Sequence, residues 1–202
     1  MSDVTTALTR LRRAAAVLLS VALLTALPAA AQAQSRSARD ARHDIVNIKG
    51  RNPDIRYRLP GMRLGDLTGS RVTYTRHRIT VVTRFRELNH RRPDFYLGLP
   101  MAYVNRDGRL KTFEPLVLVA DRDWGGQVMP DGPRDCRFAH RIDYRRDTIR
   151  VSFPSSCIGS PAWVRTAAIS LSFHRGYVAV DMMPRQNVMG SRIEYGVRVH
   201  RG

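Results

Sequence analysis

Three groupings of aspartate lie close enough along the chain to share a cation. They are Asp121 and Asp123 in "ADRDWGG", Asp40 and Asp44 in "DARHD", and Asp131 and Asp135 in "PDGPRD". Calcium takes about six to eight oxygens, commonly from clustered aspartates and loop carbonyls. Asp121 and Asp123 follow an apolar run at a spacing of two, which turns both side chains to one face of a strand end. They are the candidate calcium ligands, with ion pairing to nearby arginines as the competing expectation. None of the three groupings completes a twelve-residue calcium loop. Covalent and acid–base chemistry finds less support. Glu87, Glu114 and Glu194 stand far apart, with nothing to set two of them across a cleft as glycoside hydrolysis requires. No Gly-x-Ser-x-Gly occurs. His43, His77, His90, His140, His174 and His200 are scattered singly, without metal-ligand spacing. His140 shares its alternating face with Phe138, Ile142 and Tyr144, which places it at the edge of a core. No catalytic residue is assigned.

Where the chain resides decides what its two cysteines do. The N-terminus carries Arg10, Arg12 and Arg13, then an uncharged run from Ala14 to Leu27, then Pro28 and Ala31-Gln32-Ala33. That order is the pattern of a cleaved secretory signal, with cleavage expected after Ala33. The run is shorter than the roughly 20 apolar residues of a spanning helix. No later stretch is long and apolar enough to replace it, so a secreted, extracellular protein without a transmembrane segment is expected. Outside the cytosol, Cys136 and Cys157 are expected to be bonded to each other.

The elements that would carry these residues read as strands throughout. Ile79, Val81 and Phe85 alternate with Arg84 and Arg86 on the opposite face. Ile149, Val151 and Phe153 alternate with Thr148, Arg150 and Ser152. Reversals are expected at Thr75–Arg78, at Asn105–Gly108 and near Arg145 to Asp147. "SSCIGSP" suits one short helical turn ended by Gly159 and Pro161. Roughly eight to ten strands at hairpin spacing, with no helical period, predict an all-β antiparallel sandwich or jelly-roll with one intradomain disulfide. The cysteines would join the open ends of one hairpin. The expected organisation is a signal over 1–33, a flexible basic lead over 34–43 and one β-sandwich domain over 44–202.

Charge narrows the class of partner. The formal net charge is +17, and Lys49 and Lys111 are the only lysines among 34 basic residues. A GC-rich genome accounts for arginine in place of lysine, but not for the excess of base over acid. Such a charge favours anionic polymers or membrane surfaces, and guanidinium groups grip carboxylate and phosphate in bidentate fashion. The densest basic stretches hold Arg84, Arg86, Arg91 and Arg92, and Arg141, Arg145, Arg146 and Arg150. These eight are the candidate anion-binding residues, against the alternative that they form a solvated, aggregation-blocking surface. Export argues against nucleic acid as the primary partner and for anionic envelope polymers or lipid headgroups.

Three stretches, "DARHDI", "GDLTGSRVTYTRHRITVVTRFREL" and "IDYRRDTIRVSFPSSCIGSPAWVR", together resemble a group of exported actinobacterial proteins of unknown function. That group carries a DxxxD opening, a strand pair ending in RFxxL and a closing VPxSCLGxPxWVR. Ile158 stands where leucine is usual. The resemblance implies a secreted β-sandwich, loosely similar to the sugar- or haem-binding DOMON-like domains, and carries no transferable activity. Haem-binding sandwiches of that kind use a Met and a His as axial ligands, for which Met182, Met183 and His174 are the available residues. The expected function is a secreted, non-catalytic binding or structural domain. The alternative is an extracellular polysaccharide hydrolase whose carboxylates come from separate loops.

Overall fold

The computed structural model describes residues 33–49, 56–59, 61–90, 94–120, 122–129, 136–174, 177–184 and 193–202. The expected signal falls almost wholly outside them. The described residues form strands and a single short 3-10 turn, with no α-helix.

Three antiparallel sheets result. The first contains β1 (Gln34–Arg39), β4 (Leu67–Tyr74), β5 (Arg78–Phe85), β12 (Thr148–Pro154) and β11 (Ala139–Asp143), side by side in that order. The second runs β10 (Gln127–Met129), β9 (Leu116–Val119), β6 (Phe95–Gly98), β14 (Ala168–His174), β15 (Tyr177–Met183), β2 (Val46–Lys49), β3 (Arg56–Arg58). A smaller third sheet orders β16 (Val199–His200), β13 (Trp163–Thr166), β7 (Met101–Val104) and β8 (Leu110–Phe113). The strands among the described residues number sixteen, more than the sequence suggests, because many span only two to four residues and are too short to display alternation.

Period-two patterning builds the sandwich. On β5, Ile79, Val81, Thr83 and Phe85 are buried while Arg78 and Arg84 are exposed. On β12, Ile149, Val151 and Phe153 point the same way. These residues share one core with Phe95, Leu97, Val117 and Val119 of the second sheet. Phe85 meets Phe95 edge-on at 5.4 Å between ring centroids, an aromatic contact joining the two sheets. Phe153, Phe113 of the third sheet and Phe138 form a three-ring cluster, with Phe153 5.4 and 5.2 Å from the other two.

The three expected reversals are present. Thr75 N–H donates to the Arg78 carbonyl, and Gly108 N–H donates to Asn105. Residues 144–147 turn between β11 and β12. The expected helical turn is a 3-10 segment, Ser155–Ile158, ended by Gly159 at φ 75°. One expectation is corrected. Residues 34–39 are not a flexible lead but β1, paired with β4 along its whole length from Gln34–Tyr74 to Arg39–Gly69. Its sequence, QSRSAR, offers only Ala38 to the core, so no apolar alternation announces it. Backbone pairing to a neighbouring edge holds it instead.

The disulfide joins Cys136, just before β11, to Cys157, just after β12, with Cα atoms 5.6 Å apart. It clamps the open end of the hairpin at the margin of the first sheet. With a sequence separation of 21, its closure stabilises the fold by about 3 kcal/mol in the chain-entropy account. The Cys136→Ser/Cys157→Ser double variant is therefore expected to lose about that much unfolding free energy in urea titrations. Identical midpoints for oxidised and reduced wild-type protein would refute a stabilising role for the bond.

Candidate functional site

The register of the first sheet distributes most of its arginines to one side, with Arg36, opposite Val72, on the other. Successive rows across the strands pair Ser37 with Arg71, Arg71 with Val82, Val82 with Arg150, and Arg150 with Arg141. The next row holds Arg39, Gly69, Arg84, Thr148 and Asp143. Arg39, Arg71, Arg84, Arg141 and Arg150 are exposed and stand opposite the buried face. Hydroxyls fill the positions between them. Arg71 Nε donates to Ser37 Oγ at 3.1 Å, and Arg78 donates to Ser152 Oγ at 3.0 Å. In these rows Asp143 is the one acid, 3.9 Å from Arg141. Arg141 and Arg150 sit directly across the ladder from each other, a like-charge pairing that opposes strand association. The outer face thus carries positive charge with little internal compensation.

Not all the arginines predicted for this patch belong to it. Arg84, Arg141 and Arg150 lie on the face, and Arg145 and Arg146 are exposed in the β11–β12 turn beside it. Arg86 turns away: its guanidinium meets His43 Nδ1 at 2.7 Å and Asp66 Oδ2 at 3.5 Å. It pins the chain between β1 and β2 rather than facing a ligand. Arg91 and Arg92 lie outside the described residues. Sequence reading missed Arg39 and Arg71, because they join the patch only through the pairing of β1 with β4 and β4 with β5.

Among the described residues, the acids that gather lie away from Asp123. Asp121, Asp131 and Asp135 lie outside the described residues, and Asp123 is exposed in the β9–β10 turn near Gln127. Instead, carboxylate oxygens of Asp40, Asp44 and Asp181 fall within 4.8 Å of one another. Asp181 projects from the inner face of β15 and is 1% exposed. Its Oδ2 accepts from Leu67 N–H at 2.6 Å and its Oδ1 from Met182 N–H at 2.9 Å. Asp40 Oδ1 accepts from Ala41 N–H at 3.0 Å.

Asp66, wholly buried, closes the group: its Oδ2 accepts from His43 N–H at 3.2 Å. Gly65 makes this placement possible. It has φ 80°, and a Cβ there would come within 2.6 Å of Ser172 Oγ and 2.8 Å of Ser170 Oγ. Ser170 instead donates to the Gly65 carbonyl at 2.6 Å, seating the segment against β14.

Crowding and burial act on two of these groups, Asp40 and Asp181. Burial, then Asp44 and Asp66, raise the Asp40 pKa to about 7, against the opposing Ala41 N–H. Burial, with Asp40, Asp44 and Asp66 adding, raises Asp181 to about 8 despite the Leu67 N–H. Among the described residues, neither Asp40 nor Asp181 has an ion-pair partner.

The remaining candidates do not assemble. Glu87 accepts from Asn89 at 2.6 Å and stands 4.0 Å from Arg63. His140 is half-buried, its Nε2 2.9 Å from the Gly125 and Gly126 carbonyls. That is the core-edge place expected of it. His174 and Met182 occupy opposite ends of the β14–β15 hairpin, His174 opposite Tyr177 and Met182 opposite Ile169. Five strand residues, roughly 17 Å, separate them, and Met183 is packed in the core. They do not form an axial pair. Comparison with family models, curated proteins and solved structures returns no match for this chain.

The raised aspartates give a signed pH dependence. Between about pH 4 and pH 8 the folded protein holds protons on Asp40 and Asp181 that the unfolded chain has released, so raising pH favours unfolding. The contribution of these groups is complete below their unfolded values and is lost as pH rises through about 7 and 8. Urea midpoints in chelator-containing buffer are expected to fall less steeply with pH for Asp181→Asn than for wild type over this window. Parallel profiles would contradict the shift.

Proposed function

We propose that the protein is a secreted, non-catalytic binding domain whose first sheet presents an arginine and hydroxyl face to an anionic polymer of the cell envelope or its surroundings. The observation that carries this reading is the set of five exposed arginines, Arg39, Arg71, Arg84, Arg141 and Arg150, standing in adjacent rows of the sheet in which Asp143 is the one acid. Adjacent strands are about 4.8 Å apart, so the guanidinium groups repeat at roughly 5 to 10 Å. Such a repeat suits a chain of regularly spaced phosphates or carboxylates better than one small anion. Ser35, Ser37, Thr73, Thr80 and Ser152 share this side of the sheet and add hydrogen-bonding groups of either polarity.

Exterior placement is supported by the leader-like N-terminus and by the disulfide. No helix among the described residues is long and apolar enough to cross a membrane. The hydrolase alternative draws no comparable support. The carboxylates that do converge include the fully buried Asp66 and Asp181, out of reach of a polysaccharide.

Co-sedimentation with an anionic envelope polymer across a salt series tests the proposal. Retention at low salt that fades by a few hundred millimolar is expected, since screening shortens to within several ångströms. The Arg84→Glu/Arg150→Glu variant should weaken retention at least tenfold. The charge-matched Arg106→Glu/Arg109→Glu variant, altered in the exposed β7–β8 turn, should weaken it much less. Equal losses in the two variants would reduce the effect to net charge and overturn the assignment to this face.

A further inference from the structure

We propose that Asp40, Asp44 and Asp181, with Asp66 and Asn47 beside them, form a binding site for one hard divalent cation of the calcium type, at the corner where β15 meets the start of β4. The site goes beyond the polyanion-binding reading and does not depend on it.

Its first support is geometric. Oxygens about 2.4 Å from a common calcium ion can lie at most about 4.8 Å from one another, and the three aspartates meet that limit as they stand. They come from three different parts of the chain: the end of β1, the approach to β2 and the inner face of β15. Two backbone N–H groups hold the Asp181 carboxylate, one on each oxygen. A carboxylate keeps further lone pairs after two such bonds, so this clamp aims the group without exhausting it.

The second support is independent of the cluster. Asp66 is completely buried, and its Oδ1 has no hydrogen-bond partner. Its other oxygen accepts from His43 N–H, in the middle of the Asp40–Asp44 segment, and the next residue, Leu67, donates to Asp181. The carboxylate is therefore wedged between the segments that supply the cluster, and its charge is felt by both Asp40 and Asp181.

Asn47 is 8% exposed, and its Oδ1 likewise has no partner. It pairs with Ala179, which shares a face of β15 with Asp181 two residues on. A buried carbonyl oxygen without a donor costs about 1–3 kcal/mol, and here two such acceptors adjoin three carboxylates. An ion accepting all-oxygen ligation resolves both the orphaned acceptors and the mutual repulsion. No histidine or cysteine belongs to the cluster, which selects against zinc and copper and for calcium or a similar hard ion.

Asp40 also borders an open depression with Arg39, Arg42, Arg71 and Arg84. The site consequently has an approach from solvent at the margin of the arginine face.

The test is a calcium titration of the purified protein after chelator treatment, followed by calorimetry and by melting temperature. Wild type is expected to bind one equivalent and to melt at progressively higher temperature as calcium rises. Asp40→Asn relieves the crowding of carboxyl groups and should melt without calcium at or above the wild-type temperature. Circular dichroism should show Asp40→Asn and Asp44→Asn folded, while the apparent calcium affinity of each falls at least tenfold. Asp123→Asn should leave the response unchanged, as should Arg141→Glu/Arg150→Glu, on the strands of the polyanion face far from β1, which separates this site from that face. Absence of any calcium-dependent heat or melting shift at millimolar calcium would overturn the proposal. So would full retention of binding in both Asp40→Asn and Asp44→Asn.

Discussion

At one corner of the sandwich, the link between the two larger sheets is an ionisable side chain. Asp181 leaves the inner face of β15 and takes the backbone N–H of Leu67, the first residue of β4. Elsewhere the two sheets meet largely through apolar contacts, which are non-directional. This bond is directional and fixes one atom of the second sheet to one atom of the first. The Gly65–Asp66 segment, the turn bearing His43 and the start of β4 are all placed relative to it. A buried carboxyl is a costly choice for such a tie: burial penalises its charged form, and the group keeps its proton to about pH 8.

That cost is compounded by where the neighbouring acids fall. The chain brings Asp40, Asp44 and Asp66 to the same corner, although the protein as a whole is strongly basic. With 34 basic residues available, neutralisation by arginine would have been easy; Arg86 supplies it for Asp66, whereas among the described residues Asp40 and Asp181 have no ion-pair partner. Five other arginines, Arg39, Arg71, Arg84, Arg141 and Arg150, are directed outward on the exposed side of the first sheet. Part of the charge is thus separated, with acids at a buried corner and these bases on an open face.

Much of the architecture was legible because a strand's chemistry is local. Ile79, Val81 and Phe85, and Ile149, Val151 and Phe153, announce their buried faces by alternation alone, and Asn105–Gly108 announces its turn by residue type. β1 escaped notice because a polar edge strand is held by ladder hydrogen bonds, which every residue but proline can make. Arg86 was misplaced for a related reason. Alternation puts it with Arg84, but the strand ends at Phe85, and beyond it the backbone follows the Asp66 segment, with Arg86 N–H donating to the Asp66 carbonyl at 2.7 Å.

What the sequence determined by itself is the material: an all-β sandwich, a disulfide closing one hairpin, and a surplus of arginine on the polar side of its strands. These depend on neighbours within a few residues, or on chemistry that follows from composition. Which arginines face outward together, and which aspartates converge, was decided only by tertiary structure. Asp121 and Asp123 are neighbours in sequence, whereas Asp40 and Asp181 become neighbours through strand order, with β1 set beside β4 and β15 packed across from it. Pairing order arises from burying apolar faces drawn from the whole chain at once. No local period records it.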